Sequence, residues 1–399
     1  MRLRRPAPGV APDGRALRVA HVSVVHAWDD PRIAERECRS LAAAGYDVTL
    51  LVPGEVPPEP WHGVRVIALP HRSRTTRWLT SREILTELHH LQPHVVHIHD
   101  PELLTLLPVL RPFASRLVYD MHEYVSDAVS TKHYIPGPVR PAAASLTAAA
   151  QRTLAAVADG VVAVVPEQFD DLGDRPRLRA AVPNYPRLER FAGAAPLPDM
   201  AADPRLKLIY IGSLTRNRGV PVMLEVLREV GDQAVLFLGG RFSNPEFEAE
   251  VRELAAGELA HCLRLLGPVA PPDVPSRLAS CDVVWVPELA TEQYRRPTVP
   301  SKLFEGMAVG LAVLASDLPG RSEVVFREAC GLVVEPGRDG HLAGVRRLLA
   351  DRDAVGKMGA RGRRAVAARY SWQVAEAALL HFYRRLVAGP KAGPGEPPA

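Results

Sequence analysis

Short apolar and β-branched runs alternate along the chain with longer segments whose apolar residues recur at helical spacing. After a first predicted strand at residues 19–25, Ile33, Cys38 and Leu41 share one face of a predicted helix that ends near Gly45. Further strands are predicted at residues 47–52, 64–69, 95–99, 117–121, 161–165, 208–212, 234–238, 283–287, 312–315 and 331–334. This alternation predicts α/β structure, with parallel sheets covered by helices.

The alternation is interrupted once, between residues 185 and 204, where Pro186, Pro196, Pro198 and Pro204 occur. The sequence therefore predicts two doubly wound, Rossmann-like domains of similar size. The expected organisation is a flexible arm at 1–16, a first domain at 17–186, a linker at 187–205, a second domain at 206–370, a closing helix at 371–387 and a disordered tail at 388–399. We expect the domains to face a cleft, because open parallel sheets bind ligands beyond the carboxyl ends of their strands.

The charge balance disfavours a nucleic-acid partner, because 49 basic and 45 acidic residues leave only +4 on 399 residues. The four cysteines are isolated and show no CxxC spacing, which favours a reducing, cytoplasmic location over a disulfide framework or a zinc site. No segment reaches 18 apolar residues without a charge, so no transmembrane segment is expected.

Lys302 is the most unusual charge in the sequence, since only five of the basic residues are lysines and this one opens a predicted helix. A cation there opposes the positive end of the helix dipole, and a bound anion would remove the conflict. Free amides near Ser301 together with the ammonium would suit a phosphate. The alternative is a surface ion pair with Glu305, three residues on.

Glu305 and a loop after residue 211 extend this hypothesis to a nucleotide. A carboxylate beside a phosphate site is well placed to accept the hydroxyl protons of a ribose, although a single Glu on a short helix is often only exposed. The loop carries Arg216 and Arg218 beyond a tight turn at Gly212, and a guanidinium suits a diphosphate. A solvated basic turn is the alternative.

In the first domain, His122 follows a predicted strand at its carboxyl end, where ligands of such sheets bind. A core or capping histidine is the alternative interpretation. His97 and His99 fall on one strand face and His94 on the other, so no metal site is predicted from these histidines.

The segments that carry these residues resemble retaining, nucleotide-sugar-dependent glycosyltransferases of the GT-B fold, family 4 (group 1 type). The resemblance spans nearly the whole chain and is strongest in the segment from Pro300. Its motifs are DDPRIAERECRSLAAAGYDVTLL, VVHIHDPELL, LVYDMHE, VPNYP, YIGSLTRNRG and PSKLFEGMAVGLAVLASDLPG.

The resemblance implies roles for individual residues. Glu305 would hold the ribose, Arg218 and Lys302 the diphosphate, and His122 the transferred sugar or the reacting end of the acceptor. The residues assigned to catalysis are therefore His122, Arg218 and Lys302. The donor-binding set adds Gly212, Ser213, Arg216, Ser301 and Glu305, and the acceptor side has Asp30 and Arg32 beside His122.

We expect no cofactor and no metal ion, because protein cations would neutralise the departing diphosphate. The sequence does not identify the acceptor, which is a small molecule, a glycan or a lipid-linked compound. It is also compatible with peripheral contact with a membrane. Pro297 and Ser213 stand where many family members have a Glu and an Arg. A catalytically silent GT-B partner subunit, or less readily a nucleotide-sugar epimerase, therefore remains an alternative.

Overall fold

A computed structural model describes Gly9 and residues 14–130, 137–176 and 178–388. It divides into two compact units. Unit 1 consists of residues 1–183 and 373–399, and unit 2 of residues 184–372. Most of the expected flexible arm and nearly all of the expected disordered tail lie outside the described residues.

Each unit is built on one parallel β-sheet, seven-stranded in unit 1 and six-stranded in unit 2. The strands are β1 (Arg18–Val22), β2 (Asp47–Pro53), β3 (Val64–Leu69), β4 (Val95–Ile98), β5 (Arg116–Met121), β6 (Gly160–Ala163), β7 (Leu178–Ala181), β8 (Leu206–Ile211), β9 (Ala234–Gly239), β10 (Leu263–Gly267), β11 (Val283–Val286), β12 (Ala312–Ser316) and β13 (Gly331–Val334).

The α-helices connect these strands and cover the sheets. They are α1 (Arg39–Ala43), α2 (Ser81–Leu91), α3 (Leu107–Leu110), α4 (Val125–Ser130), α5 (Arg140–Ala155), α6 (Pro198–Ala201), α7 (Val220–Val230), α8 (Pro245–Ala256), α9 (Val274–Ala279), α10 (Ser301–Val309), α11 (Arg321–Glu328), α12 (Arg338–Ala350), α13 (Arg352–Arg369) and α14 (Trp372–Ala388). The first predicted helix begins as a π-helix over Ile33–Cys38 and continues as α1.

The strand order is β3-β2-β1-β4-β5-β6-β7 in unit 1 and β10-β9-β8-β11-β12-β13 in unit 2. Both are doubly wound orders in which the chain reverses direction after the third strand of the unit and places the fourth strand beside the first, which confirms the predicted α/β fold class. The reversal puts the crevice at the carboxyl ends of β1 and β4 in unit 1, and of β8 and β11 in unit 2. Ligands of such sheets bind at these switch points.

The chain passes from unit 1 to unit 2 between Pro183 and Asn184 and returns at Trp372. Residues 187–205, expected as a linker, fall in unit 2, where Phe191 and Met200 are buried in an apolar cluster. Helix α14 packs on the sheet of unit 1. Its Phe382 lies so close to Gly160 that a Cβ there would be 2.6 Å from the ring, so this strand position has no room for a side chain.

The central strands of both sheets are buried and largely apolar, as expected for sheets covered on both faces, whereas the edge strands are only partly buried. Over the described ranges of the chain, no helix combines the length and the apolarity needed to cross a membrane.

Candidate active site

The switch point of unit 2 carries a cluster of charges, which we call the cation cluster: half-buried Arg218 and buried Glu288, Lys302 and Arg321. Glu288 follows β11 by two residues and is 2% exposed. Tyr210, on β8, is fully buried beside it, because parallel strands end at the same edge of the sheet.

Lys302 lies in the first turn of α10, as predicted, and is 7% exposed. Its Nζ donates to Glu288 Oε1 at 3.1 Å and to the Tyr210 hydroxyl at 3.2 Å, and it lies 4.4 Å from the centre of the Tyr210 ring. The surface pair with Glu305 weighed above is therefore not what holds this lysine. Lys302 is paired instead with the Glu288 carboxylate, 14 positions upstream.

Arg321 is the third side chain of the cluster and is 1% exposed. Its Nη1 lies 3.4 Å from Glu288 Oε2, and its Nη2 donates to Thr298 Oγ1 at 2.8 Å. Its Nε is buried without a hydrogen-bond partner among the described residues. Three cations thus share one carboxylate, so the four side chains of the cluster carry a formal net charge of +2.

The ionisation of the cluster follows from its charges. Burial alone would lower the pKa of Lys302, but the Glu288 carboxylate raises it above its ordinary value, so the ammonium is retained. Burial alone would raise the pKa of Glu288, but Lys302 and Arg321 lower it. Burial lowers the pKa of Arg321, and the Glu288 carboxylate opposes this shift.

The loop after β8 brings Arg218 into the same cluster. Burial opposes its charge, while Tyr210, Tyr294 and Glu288 raise the pKa of Arg218. Gly219 has φ 78°, and a Cβ there would lie 1.9 Å from the Pro287 carbonyl oxygen. Only glycine therefore lets this loop approach the end of β11.

The remaining predicted donor residues divide into two groups. Gly212 lies against Lys302, since a Cβ at Gly212 would be 3.5 Å from Lys302 Cε, and Ser301 begins α10. Glu305 is half-buried one turn further along α10, and no hydrogen bond or ion pair of the described residues occupies its carboxylate.

Two other predicted donor residues are not brought into the cation cluster. Arg216 is exposed, forms an ion pair with Glu250 and lies over the Phe247 ring at 4.5 Å. The Ser213 side chain is exposed, and the Ser213 carbonyl oxygen accepts a hydrogen bond from the Tyr210 hydroxyl at 3.0 Å.

The switch point of unit 1 is organised around Asp120, on β5, which is fully buried. Arg32 donates to both of its oxygens, from Nε at 2.9 Å and from Nη2 at 2.7 Å, and also to the Val182 carbonyl oxygen at 2.8 Å. His122 Nε2 lies 2.5 Å from Asp120 Oδ2. Arg32, predicted on the acceptor side, therefore lies buried behind His122.

Asp30 begins the π-helix, with Oδ1 accepting from the backbone N–H of Ile33 at 2.9 Å. Its other oxygen pairs with His26 Nδ1 at 3.1 Å, and His26 Nε2 lies 3.5 Å from Asp100 Oδ1. The His26 and His122 rings are 5.3 Å apart. Asp30 and His122 thus share one edge of the unit 1 sheet.

Behind Asp120 lies a buried series of rings, which we call the histidine chain: His99, His21, Tyr383 and His97. His99 Nδ1 lies 3.0 Å from Asp120, and His99 Nε2 lies 2.8 Å from His21 Nδ1. The Tyr383 hydroxyl lies 3.4 Å from His21 Nε2 and 2.8 Å from His97 Nδ1. The His97 and His99 rings stack at 4.7 Å, which confirms that they share one strand face.

Two groups of side chains around this chain place metal-ligating atoms within 4.8 Å of one another. They are His21 with Glu37, His97 and His99, and His99 with Asp120 and His122. Arg32 Nη2 lies 2.7 Å from Asp120 and 3.2 Å from Glu37, so a metal cation in either group would meet a positive charge. We therefore interpret the histidines and Asp120 as parts of a hydrogen-bonded network, and Glu37 as an ion-pair partner of Arg32.

A separate cavity of about 210 Å³, which we call the Trp78 recess, opens near the carboxyl ends of β1 and β4. Trp78, 71% exposed, forms part of its wall, and Arg77 pairs with Glu102 at 2.8 Å. Its lining residues are Val24, Arg74, Arg77, Trp78, Ser81, Ile84, Glu102, Leu103, Thr105 and Leu106. Polar groups and an aromatic face around an apolar floor suit a hydroxylated ring.

Glu288, Arg321 and Asp120 are the charged residues that sequence reasoning missed. A signal was present for two of them, because Glu288 follows a buried strand directly and Asp120 interrupts an otherwise apolar strand. No such signal marks Arg321, because an Arg at the start of a helix is usually exposed.

Two family models match the chain, and together they cover about three-quarters of it. The model described as "Glycosyl transferase 4-like domain" matches residues 31–184, and "Glycosyl transferases group 1" matches residues 205–351. The first range contains β4 and β5 with Asp120 and His122, and the second contains all four residues of the cation cluster.

Relatives and solved structures agree with these matches. A phosphatidyl-myo-inositol mannosyltransferase of Mycobacterium leprae is 26% identical over 372 residues, 88% of this chain and 89% of that protein. A GDP-mannose-dependent alpha-(1-6)-phosphatidylinositol monomannoside mannosyltransferase of Mycobacterium tuberculosis is 31% identical over 188 residues, 45% of this chain and 48% of that protein. Sucrose-phosphate synthase from Thermosynechococcus elongatus has the same fold, with a TM-score of 0.73 at 20% identity over 93% of this chain and 99% of that one. The two family models match in the expected order, one on each doubly wound unit. This chain therefore belongs to the group 1, family 4 glycosyltransferases of the GT-B fold.

Proposed function

We propose that this glycosyltransferase takes its sugar from a nucleoside diphosphate sugar and transfers it with retention of anomeric configuration. The observation that carries the proposal is the cation cluster, whose four side chains have a formal net charge of +2 beside the start of α10. A diphosphate supplies the matching negative charge, and the free amides of the helix start add hydrogen-bond donors.

In this proposal the nucleotide is held by unit 2. Lys302 and Arg218 bind the diphosphate, and the Glu305 carboxylate accepts hydrogen bonds from the two ribose hydroxyls. Cleavage of the bond between the anomeric carbon and the phosphate oxygen builds negative charge on the leaving diphosphate. Lys302 and Arg218 are already in place to stabilise it, so no metal ion is required.

We propose retention by front-face attack because of how the buried carboxylates are paired. Glu288 is bound by cations and Asp120 by Arg32, so neither buried carboxylate is available as the acid or nucleophile of a double displacement. We propose instead that the acceptor oxygen attacks on the face that the diphosphate leaves. The departing phosphate oxygen takes the acceptor proton, which balances the exchange.

For the acceptor we propose a hydroxyl of a sugar or cyclitol ring on a glycan or lipid-linked compound. The Trp78 recess has the size and the polar lining for one such ring, and the mycobacterial relatives are named as mannosyltransferases acting on phosphatidylinositol compounds. The four cysteines are buried and unpaired, which supports the proposed reducing cytoplasmic location.

The silent-subunit hypothesis rested on Pro297 and Ser213. The cation cluster argues against it, because neither residue contributes a charge there and the cluster is nevertheless complete. The epimerase hypothesis has no support among the relatives, which are named as transferases.

The proposal is tested by incubating the full chain with GDP-mannose, UDP-glucose and ADP-glucose, with myo-inositol and phosphatidylinositol vesicles as acceptors. Free nucleotide and glycosylated product are measured, and the anomeric configuration is read by NMR. We expect turnover with at least one donor, retention in the product, and loss of turnover in Glu305→Ala. Glu253→Ala, an exposed carboxylate on α8, is the matched control. Inversion of configuration would refute the retaining mechanism, and absence of nucleotide-sugar binding by calorimetry would refute the donor class.

A further inference from the structure

Asp120 sets the direction of the hydrogen bonds in the histidine chain. Burial alone would raise its pKa, but the Arg32 guanidinium holds it well below its ordinary value. An ionised carboxylate only accepts hydrogen bonds. Both ring nitrogens that contact it, His99 Nδ1 at 3.0 Å and His122 Nε2 at 2.5 Å, must therefore carry hydrogen.

The same reasoning extends from His99 to His21. Burial lowers the pKa of both histidines, so each ring is neutral and carries one hydrogen. With its hydrogen on Nδ1, His99 has a bare Nε2 that accepts a hydrogen bond. His21 Nδ1, at 2.8 Å, is therefore the donor, and His21 Nε2 is left as an acceptor.

Tyr383, on α14, completes this sequence of hydrogen-bond donors and acceptors. Its hydroxyl is the group placed to donate to His21 Nε2, at 3.4 Å, and its oxygen then accepts from His97 Nδ1 at 2.8 Å. Burial also lowers the pKa of His97, so its Nε2 carries no hydrogen. This nitrogen is the one that lacks a partner among the described residues. An unpaired acceptor is easier to tolerate in a protein core than an unpaired N–H. The hydrogen positions assigned along the histidine chain are therefore consistent with one another.

We propose that neutral His122 carries its hydrogen on Nε2 and presents a bare Nδ1 to the substrate, where it accepts a hydrogen bond from a hydroxyl group. The His122 side chain is 18% exposed, and within the described residues no hydrogen bond uses Nδ1. A lone pair at this position favours a sugar hydroxyl and repels phosphate or carboxylate oxygens. The positions of the hydrogens along the histidine chain, which we call the proton order, are a property of the protein alone. The inference rests on the proposed function only in naming a sugar hydroxyl as the group that His122 contacts.

The proton order is tested by long-range ¹H–¹⁵N NMR of the full chain labelled with ¹⁵N-histidine, at pH 8.5 and without nucleotide. We expect His122 to show a protonated Nε2 and a bare Nδ1, and His99 and His21 the reverse pattern. Signals are assigned from His122→Asn and His21→Asn. A hydrogen on Nδ1 of His122 in the wild type would overturn the proposal, whether or not the protein transfers sugar.

Two tyrosine variants test how far the order extends. Tyr383→Phe removes the donor to His21, so the His21 ring signals are expected to shift toward a mixture of the two protonated forms. Tyr46→Phe is the matched control, because Tyr46 packs on Tyr383 at 5.6 Å and its buried hydroxyl has no partner among the described residues. Unchanged His21 signals in Tyr383→Phe, or equal changes in both variants, would contradict the ordered chain.

The acceptor role of Nδ1 is tested by turnover. Asn in place of His122 keeps a carbonyl oxygen near the position of Nδ1, whereas Leu removes every polar atom. We expect kcat of His122→Asn to exceed that of His122→Leu by about tenfold, the value of one hydrogen bond, with donor KM alike in both. Equal kcat values in the two variants, in a wild type that turns over, would refute the hydroxyl contact.

Discussion

Replacing Glu288 by Gln tests whether the cation cluster is held together by one carboxylate. Glu288 lies 3.1 Å from Lys302 and 3.4 Å from Arg321, and all three side chains are buried. At an effective dielectric constant near 20, each contact corresponds to about 5 kcal/mol of Coulomb attraction, much of it offset by desolvation. Removing the carboxylate leaves both cations buried without compensation. We therefore expect the free energy of unfolding to fall by about 3 to 5 kcal/mol.

The assay is urea unfolding of the variant and of wild type, with and without saturating GDP or UDP. The nucleotide is expected to stabilise Glu288→Gln more than wild type, because its diphosphate replaces the missing negative charge. Glu292→Gln is the matched control: its carboxylate lies 3.0 Å from Arg295 but the pair is exposed, so a change below about 1 kcal/mol is expected. A Glu288 variant as stable as wild type, or one that gains nothing from either nucleotide, would refute the electrostatic account.

Three further predictions concern donor binding, catalysis and pH. Glu305→Ala should weaken nucleotide-sugar binding by about 1.5 to 3 kcal/mol in calorimetry, and equal affinities in two folded proteins would remove Glu305 from the ribose. Losing Arg218 or Lys302 should lower kcat by roughly 10² to 10³ in steady-state assays, while donor affinity falls less. Activity that EDTA abolishes and Mg²⁺ restores would refute this account. Burial lowers the pKa of His341 to about 4, so the neutral ring is favoured in the folded state. As the pH falls from 6.5, the unfolded chain binds a proton that the folded chain does not, and about 3 kcal/mol of stability should be lost by pH 4. Chemical unfolding of His341→Gln should show a shallower decline, and an unchanged slope would contradict the assignment.

The sequence predicted the fold well because the central strands of both sheets are buried on two faces, so most of them appear as short, largely apolar runs. Two edge strands, β7 and β10, were not predicted, since each is short and carries an arginine, Arg179 or Arg264. Helix α13 was also missed; in the structure Asp351 caps it, with Oδ1 accepting from the Ala354 N–H at 2.9 Å.

The candidate site was predicted less completely, because its charges pair over long distances in sequence. Lys302 was recognised as needing an anion, but its partner follows a different strand, and only the sheet order brings the two together. Arg216 and Arg218 could not be told apart in the sequence, since both lie in one loop. The structure distinguishes them, because Arg216 turns outward to Glu250 while Arg218 is drawn to Tyr210.

The return of the chain to unit 1 has a consequence for protein synthesis. Unit 2 is one continuous stretch and has its whole core once residue 372 has left the ribosome. Unit 1 is begun first but lacks Phe382 and Tyr383 until these residues have also left the ribosome, so its sheet face near Gly160 and the ring of His97 stay uncovered until then. The later half of this protein can therefore complete its folding before the earlier half, the reverse of the usual N-terminal-first order. A nascent chain stalled before residue 373 should contain a protease-resistant unit 2 and a protease-sensitive unit 1.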